Sequence, residues 1–551
     1  MALPLYIGFV WNHHQPLYRA LSDKVFKFPW VRLHGTKDYY GIAKLISRYP
    51  EIHHTFNLTP VLLDQILDYE KGMKDKYLIL SEKAPSKLSI QERKFILGNF
   101  FSLPSFARKG NNEASKKLLA LQEKAKTSPK EFREEDYLAL QTLFNLFWLD
   151  PEIIEENGDL SSIVNKKNFS ESDRNTVIEY HRSLIKQVIP LYKKLKDNGQ
   201  AELITTPYYH PILPLLIDSS SAVNCDGGLK LPAIKFSFKE DAGFQIKKAR
   251  NFHLELFGEP LEGLWPSEQA VSSEALILIS ESGFKWTVTD ENVLSASLGI
   301  PLREPPNGNV PEGQIYVTGG ASANLYRPDL LYKPYKFSSG KNSIAVLFRD
   351  QYLSDLIGFE YGRWDPVEAA EDFLNRLKTI AESMKESPVP NLLTIALDGE
   401  NAWEGFPDDK NIFLNKFFSL ASKESNLKFV TISEYLKSFP PVTELHEIAV
   451  GSWNMGNLNR WIGSPAKNKA WELLYKVRHD LMNLSESTDE EKNKKAREEF
   501  YAAEGSDYPW WFDSMPLNMA KPFDEIFRKH LKFVYLNLGK EVPEFLKNSI
   551  I

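Results

Sequence analysis

The apolar run Leu392 to Leu397 ends abruptly in Asp398, followed by Gly399, Glu400 and Trp403. A short, nearly continuous apolar run reads as a strand buried on both faces, the pattern of a parallel sheet covered by helices. Carboxylates beside an aromatic at the carboxyl end of such a strand suit an α/β site better than a surface loop. Gly263-Leu264-Trp265-Pro266-Ser267-Glu268 repeats the design, again with a carboxylate just past an aromatic. Leu5 to Trp11, which runs into Asn12-His13-His14-Gln15-Pro16, reads as a further central strand that delivers polar groups at its end.

Between these strands the periodicity alternates. Ile52 to Phe56 is strand-like and is followed by a helix from Pro60 through Ile66; His34 to Ile46 is amphipathic. Strand and helix in alternation predict a parallel sheet or barrel. From about residue 74 to 198 the pattern shifts to long, charged segments of helical period, which predicts a helical insertion with solvated Lys/Glu faces. Sheet patterning returns at Ala201 to Thr205, Trp286 to Asp290 and Ile344 to Phe348, and a last strand–helix unit spans Lys428 to Phe439. Residues 296 to 340 are rich in Pro, Gly and Asn and predict loops or hairpins over the barrel mouth. Pro440-Pro441 marks a boundary, so the expected domains are residues 1–440 and a helical unit, 441–551, that lends aromatics to the site.

Composition narrows the function. The net charge of -6 offers no basic excess for nucleic acid or an anionic membrane. No apolar run is long enough to span a bilayer and the start lacks a charged secretory n-region, so a soluble cytoplasmic protein is expected. Cys225 is the single cysteine, which excludes an intramolecular disulfide and a cysteine-based zinc site. None of the 11 histidines forms an H-x-x-x-H pair, and no glycine-rich dinucleotide or phosphate loop is present. A histidine–carboxylate metal site drawn from separate strands stays open at this point.

Two carboxylates delivered by different strands, each beside a flat aromatic, point to sugar chemistry. Glycoside cleavage needs one protonated and one ionised carboxyl across the scissile bond, about 5–5.5 Å apart in retaining enzymes. Glu268 and Asp398, each read as ending a central strand, are the candidate pair. His14, Gln15, His210, Asp290 and Asp350 are candidates for hydroxyl contacts and charge tuning, and Trp265, Trp403, Trp453 and Trp461 for stacking on sugar faces. Taken singly, a histidine at the first strand end reads first as a hydrogen-bonded core residue and a buried carboxylate as a structural acceptor; the set together points to a site.

With these motifs in view the chain resembles the family 57 glycoside hydrolases, most closely their amylopullulanase-like branch. The likeness rests on five regions in order: His14-Gln15-Pro16, Ala201 to Leu216, Gly263 to Glu268, Leu397 to Trp403, and Gly451 to Gly463. It implies a distorted (β/α)7 barrel with a helical insertion and a C-terminal helical bundle. It further implies retaining cleavage of α-glucans, at α-1,4 links and with α-1,6 links as a second specificity. Glu268 stands at the nucleophile position and Asp398 at the acid/base position; Trp453 or Trp461 would close the site, and no metal or other cofactor is implied. Three departures bear on substrate. Asn12 stands where an extra histidine is common, Gln351 replaces a histidine after Arg349-Asp350, and Pro509 and Asp513 stand where an aromatic and a glycine are usual. The alternatives are a 4-α-glucanotransferase using the same site, a metal-dependent carbohydrate deacetylase or mannosidase, and a glucan-binding protein without turnover.

Overall fold

The computed structural model describes residues 3–303, 327–485 and 489–551. Seven parallel strands nearly close a barrel: β1 (Leu5–His13), β2 (His54–Leu58), β3 (Ala201–Ile204), β4 (Gly263–Leu264), β5 (Trp286–Asp290), β6 (Asn342–Arg349) and β7 (Asn391–Asp398). β1 pairs with β7 on one side and β2 on the other, and β2 pairs with β3. The gap to β4 is bridged by Thr205 and Leu264, after which β4, β5, β6 and β7 follow in turn. Leu427–Phe429 shares β1's amino-terminal half, which distorts the ring. This is the expected (β/α)7 barrel, and helices cover it because its strands are apolar on both faces.

Register sets up the site. Asn57, Asn12 and Asp398 are cross-strand partners in one row, and Asp290 pairs with Arg349 in another. All lie at the carboxyl ends of their strands, the end from which barrel enzymes work. Gly399 follows β7 where a Cβ would come within 2.1 Å of the His13 ring. Gly399→Ala should therefore cost roughly 1–3 kcal/mol through overpacking. Thermal unfolding checks this, and an unchanged Tm would refute the close approach.

The insertion is helical as expected, running from Lys76–Glu82 to Glu171–Asp197. It has its own core, with Tyr77, Phe100, Leu140 and Phe144 at its centre. Glu171–Asp197 joins it to the barrel: Val177 and Leu184 face the insertion core, whereas Ile185, Val188 and Tyr192 pack into the barrel core. Tyr192 also lies 2.6 Å from His13 Nε2, tying the helix to β1.

Of residues 296 to 340, 304–326 lie outside the described residues. The part beyond contains a hairpin, Tyr335–Ser339 against β6, turning at Gly340 with φ 58°. Thr443–Leu445 adds to its free edge. The C-terminal helices Pro465–Ser485, Glu490–Ala503 and Leu517–Asn537 contribute Trp471, Phe500 and Phe527 to the same core cluster as the barrel. The last of these helices carries Pro522 inside it, five residues past its start at Leu517. Among the described residues no helix is long and apolar enough to cross a membrane.

Candidate active site

One cleft at the carboxyl end of the barrel is lined by Glu268, Asp398, Trp265, Trp453, Asn12 and Arg349, among others. Asp398 ends β7, as its sequence implies. Its Oδ1 accepts from Asn12 Nδ2 at 2.9 Å, and its Oδ2 accepts from Asn401 Nδ2 at 2.9 Å. Asn12, held in turn by Asn57 at 2.8 Å, thus contacts a principal carboxylate directly where a histidine was the usual residue. An amide there donates a neutral hydrogen bond and brings no titratable charge.

Glu268 does not end a strand. β4 stops at Leu264, and Glu268 sits in the turn Ser267–Gln269 with left-handed backbone, φ 58°. The strand is short because Pro266 has no N–H to give a ladder. Trp453 clamps this turn twice: its backbone N–H donates to Glu268 O at 3.2 Å and its indole N–H to Glu268 Oε2 at 2.6 Å. Burial pushes the Glu268 carboxyl up to about 7; the indole hydrogen bond works against the rise and the charges of Asp507 and Asp398 add to it.

Beside Glu268 stand two stacked histidines. The rings of His14 and His210 lie 3.7 Å apart and 14° from parallel. His14 Nε2 is 2.9 Å from Asp507 Oδ1. Burial opposes the His14 cation, but the charge and hydrogen bond of Asp507 outweigh it and raise the pKa. His210 is driven the other way, by burial and by the His14 charge, so it remains neutral. Its Nδ1 bonds Ser506 Oγ at 2.8 Å and lies 3.8 Å from Glu268 Oε1. The neutral imidazole of His210 thus lies against the Glu268 carboxyl, with the charged His14 ring stacked on it.

The ligand atoms of His14, His210 and Asp507 lie within 4.8 Å of one another. Their geometry does not fit a metal. Stacked parallel rings aim their in-plane lone pairs side by side rather than at one point, and a tetrahedral site needs convergence. His14 Nε2 and His210 Nδ1 already serve Asp507 and Ser506.

The remaining candidates fall into two groups. Gln15 is buried behind the cleft, donating to Tyr39 and to Glu400 Oε1 at 3.3 Å and accepting from Tyr18. Glu400 is raised well above the usual carboxyl range by burial and by nearby Asp398. Asp290 accepts from Arg349 Nε at 2.7 Å, and Asp350 from Tyr332 and Arg303; both also cap helices. They hold Arg349 and the rim in place and do not line the cleft. Trp403 is fully buried against Trp11 and Phe406, with its indole N–H on Gly399 O at 2.9 Å. Trp461 is likewise buried, under Trp510. These two indoles present no face to the cleft, whereas Trp453 and Trp265 line it.

Sequence reasoning missed Ser506, Asp507, Asn401, Gln269 and the exposed cleft residue Phe359 as site groups. The acidic and aromatic stretch Glu504 to Phe512 carried the signal for the first two. Gln351 and Asp513 have local explanations. Gln351 accepts from Asn292 Nδ2 at 2.8 Å on the rim. Asp513 has φ 56°, which glycine adopts freely and Asp tolerates, and it accepts from Ala466 N at 2.9 Å.

Comparison with known proteins gives a consistent picture. The profile for glycosyl hydrolase family 57 matches residues 8–449. An α-amylase from Pyrococcus horikoshii is 24% identical over 259 residues, covering 46% of this chain and 31% of that protein. A 4-α-glucanotransferase from Thermococcus kodakarensis is 23% identical over 271 residues, covering 48% and 32%. These alignments thus span about a third of the curated relatives' length. A crystal structure of a family 57 branching enzyme from Thermococcus kodakaraensis superposes with a TM-score of 0.60 at 14% identity, covering 97% of this chain and 90% of that one. At that identity the likeness speaks for the fold.

Proposed function

This chain belongs to glycosyl hydrolase family 57, and on that footing we propose that it is a retaining enzyme of α-glucans. It cleaves α-1,4 links, with α-1,6 links, as in the amylopullulanase-like branch, as its second specificity. The observation that carries this is one cleft holding two carboxyls in unlike settings. Glu268 is buried, clamped by the Trp453 indole and faced by the histidine pair; Asp398 sits between two side-chain amides. Two carboxyls in different surroundings are what acid and nucleophile roles require.

In this reading Glu268 attacks the anomeric carbon as a carboxylate and forms a glycosyl-enzyme. The His14 charge favours its ionised state. Asp398 protonates the departing glycosidic oxygen and then, as a base, draws a proton from the acceptor that releases the sugar. Asn12 and Asn401 hold its two oxygens in position. Trp453 joins the two functions of the wall, orienting Glu268 with its N–H and offering an apolar face to a sugar ring.

The elevated Glu268 value gives this reading a signed consequence. A nucleophile works only when ionised, so kcat/KM should fall about tenfold per pH unit as pH drops below about 7. Were Glu268 the proton donor, the loss would come on the alkaline side of that value. A profile flat between about pH 5 and pH 7 contradicts the elevated Glu268 pKa.

Water or a sugar hydroxyl can release the glycosyl-enzyme. Products from maltoheptaose, with pullulan in parallel, decide between them. Shorter maltooligosaccharides alone mean hydrolysis, and cleaved pullulan adds the second specificity. Products longer than the substrate make the protein a glucanotransferase. No change in either glucan refutes the α-glucan assignment.

A further inference from the structure

Glu268 and Gln269 are consecutive non-glycine residues with left-handed backbone, φ 58° and 53°. Such conformations are costly and persist where surrounding contacts impose them. Here three hydrogen bonds do so: Gln269 N–H to Pro266 O at 2.7 Å, Thr289 Oγ1 to Gln269 O at 2.7 Å, and Trp453 N–H to Glu268 O at 3.2 Å. The turn delivers both side chains to the cleft.

Gln269 is 1% exposed, lines the cleft, and neither its amide oxygen nor its amide nitrogen has a partner. A buried, wholly unsatisfied carboxamide is rare and calls for an explanation. Two further unpartnered polar atoms line the same cleft, Trp265 Nε1 and Asp355 Oδ2, on residues 5% and 3% exposed. Together they offer two donor groups and two acceptors to the cleft that also holds Glu268. Their shared complement is a molecule with several hydroxyl groups, each able to donate and accept.

We propose that Gln269, in the cleft that Trp265 and Asp355 also line, is the specificity residue that reads the hydroxyls of the sugar unit seated on Glu268. The carboxamide bridges neighbouring hydroxyls, donating through nitrogen and accepting through oxygen. The strained turn couples recognition to catalysis, because the residue that reads the sugar is bonded directly to the nucleophile. This inference rests on the α-glucan reading above and names the part of the cleft that selects the sugar.

The test compares wild type with Gln269→Met, of similar size and without the amide, and Gln269→Asn, which keeps the amide but withdraws it. Substrates are maltoheptaose, α-glucosyl fluoride, and α-glucosyl fluorides each lacking one hydroxyl. The expected result is a kcat/KM roughly 10- to 100-fold lower in both variants. Tm should be unchanged or higher in Gln269→Met, since removing an unpartnered buried amide costs the folded state nothing. Discrimination against one or two of the deoxygenated fluorides should vanish in that variant. Activity within about threefold of wild type, or wild-type discrimination retained, overturns the inference and leaves the function standing. A fall in Tm that accounts for the activity loss makes Gln269 structural and overturns it as well. If wild type turns over neither maltoheptaose nor α-glucosyl fluoride, the α-glucan reading itself fails.

Discussion

Glu268→Gln should lower kcat/KM on maltoheptaose by about 10^4-fold or more, the scale on which removal of a covalent nucleophile acts. Gln keeps the size of the side chain and an acceptor for the Trp453 indole, whose 2.6 Å bond to Oε2 holds the turn. It cannot carry the negative charge that bonds to the anomeric carbon. The fold should survive. Ionising Glu268 in its buried site is unfavourable, so above the ordinary carboxyl pKa the native glutamate loses stability as pH rises towards about 7. A neutral Gln does not carry that loss, and its Tm at alkaline pH should equal or exceed that of wild type. Activity within tenfold of wild type removes Glu268 from the nucleophile role.

Asp398→Asn should behave differently according to the leaving group. On native glucans, where the departing oxygen needs a proton, the expected loss is about 10^2- to 10^4-fold. On α-maltosyl fluoride, whose leaving group departs unprotonated, the first step should be largely spared. The substitution is close to isosteric, and Asn401 Nδ2 and Asn12 Nδ2 now face an amide in place of a carboxylate. Rotation of that amide satisfies one of them, so the structural cost is one hydrogen bond. An equal loss on both substrates counts against Asp398 as the acid.

Much of this arrangement was legible from residue pattern alone. β7 and its terminal Asp398 followed from an apolar run that stops at a carboxylate, and the long insertion followed from a change of period. His14 stood out beside His13 ahead of Gln15 and Pro16, and His210 between prolines and tyrosines; the structure stacks them face to face. What pattern cannot supply is direction. Trp403 follows Asp398 in sequence and Trp453 lies against Glu268, yet one indole turns into the core and the other onto Glu268. Asp290 and Asp350 likewise look like site acids and are spent on Arg349, Arg303 and helix caps.

The groups missed were of two kinds. Asp507 reaches His14 across 493 positions of sequence, a pairing set by how the C-terminal helices dock on the barrel. Its short helix, Asp507–Trp511, is steadied by Tyr508, whose hydroxyl lies 2.9 Å from His530 Nε2. The composition of Glu504 to Phe512 marks the stretch, but only that docking fixes its partner. Gln269 was missed for a different reason. Left-handed backbone is expected at glycine, and nothing in Ser267-Glu268-Gln269 announces it; the turn is forced by bonds from Thr289 and Trp453.

The most direct test of the nucleophile is to trap it. A 5-fluoro-α-glucosyl fluoride forms the glycosyl-enzyme faster than it is released, so the modified residue can be found by peptide mass spectrometry. One sugar per chain is expected, on the peptide that contains Glu268, and none in Glu268→Gln. A label on Asp398, or steady turnover of the reagent with inverted stereochemistry and no label, would contradict the nucleophile role of Glu268.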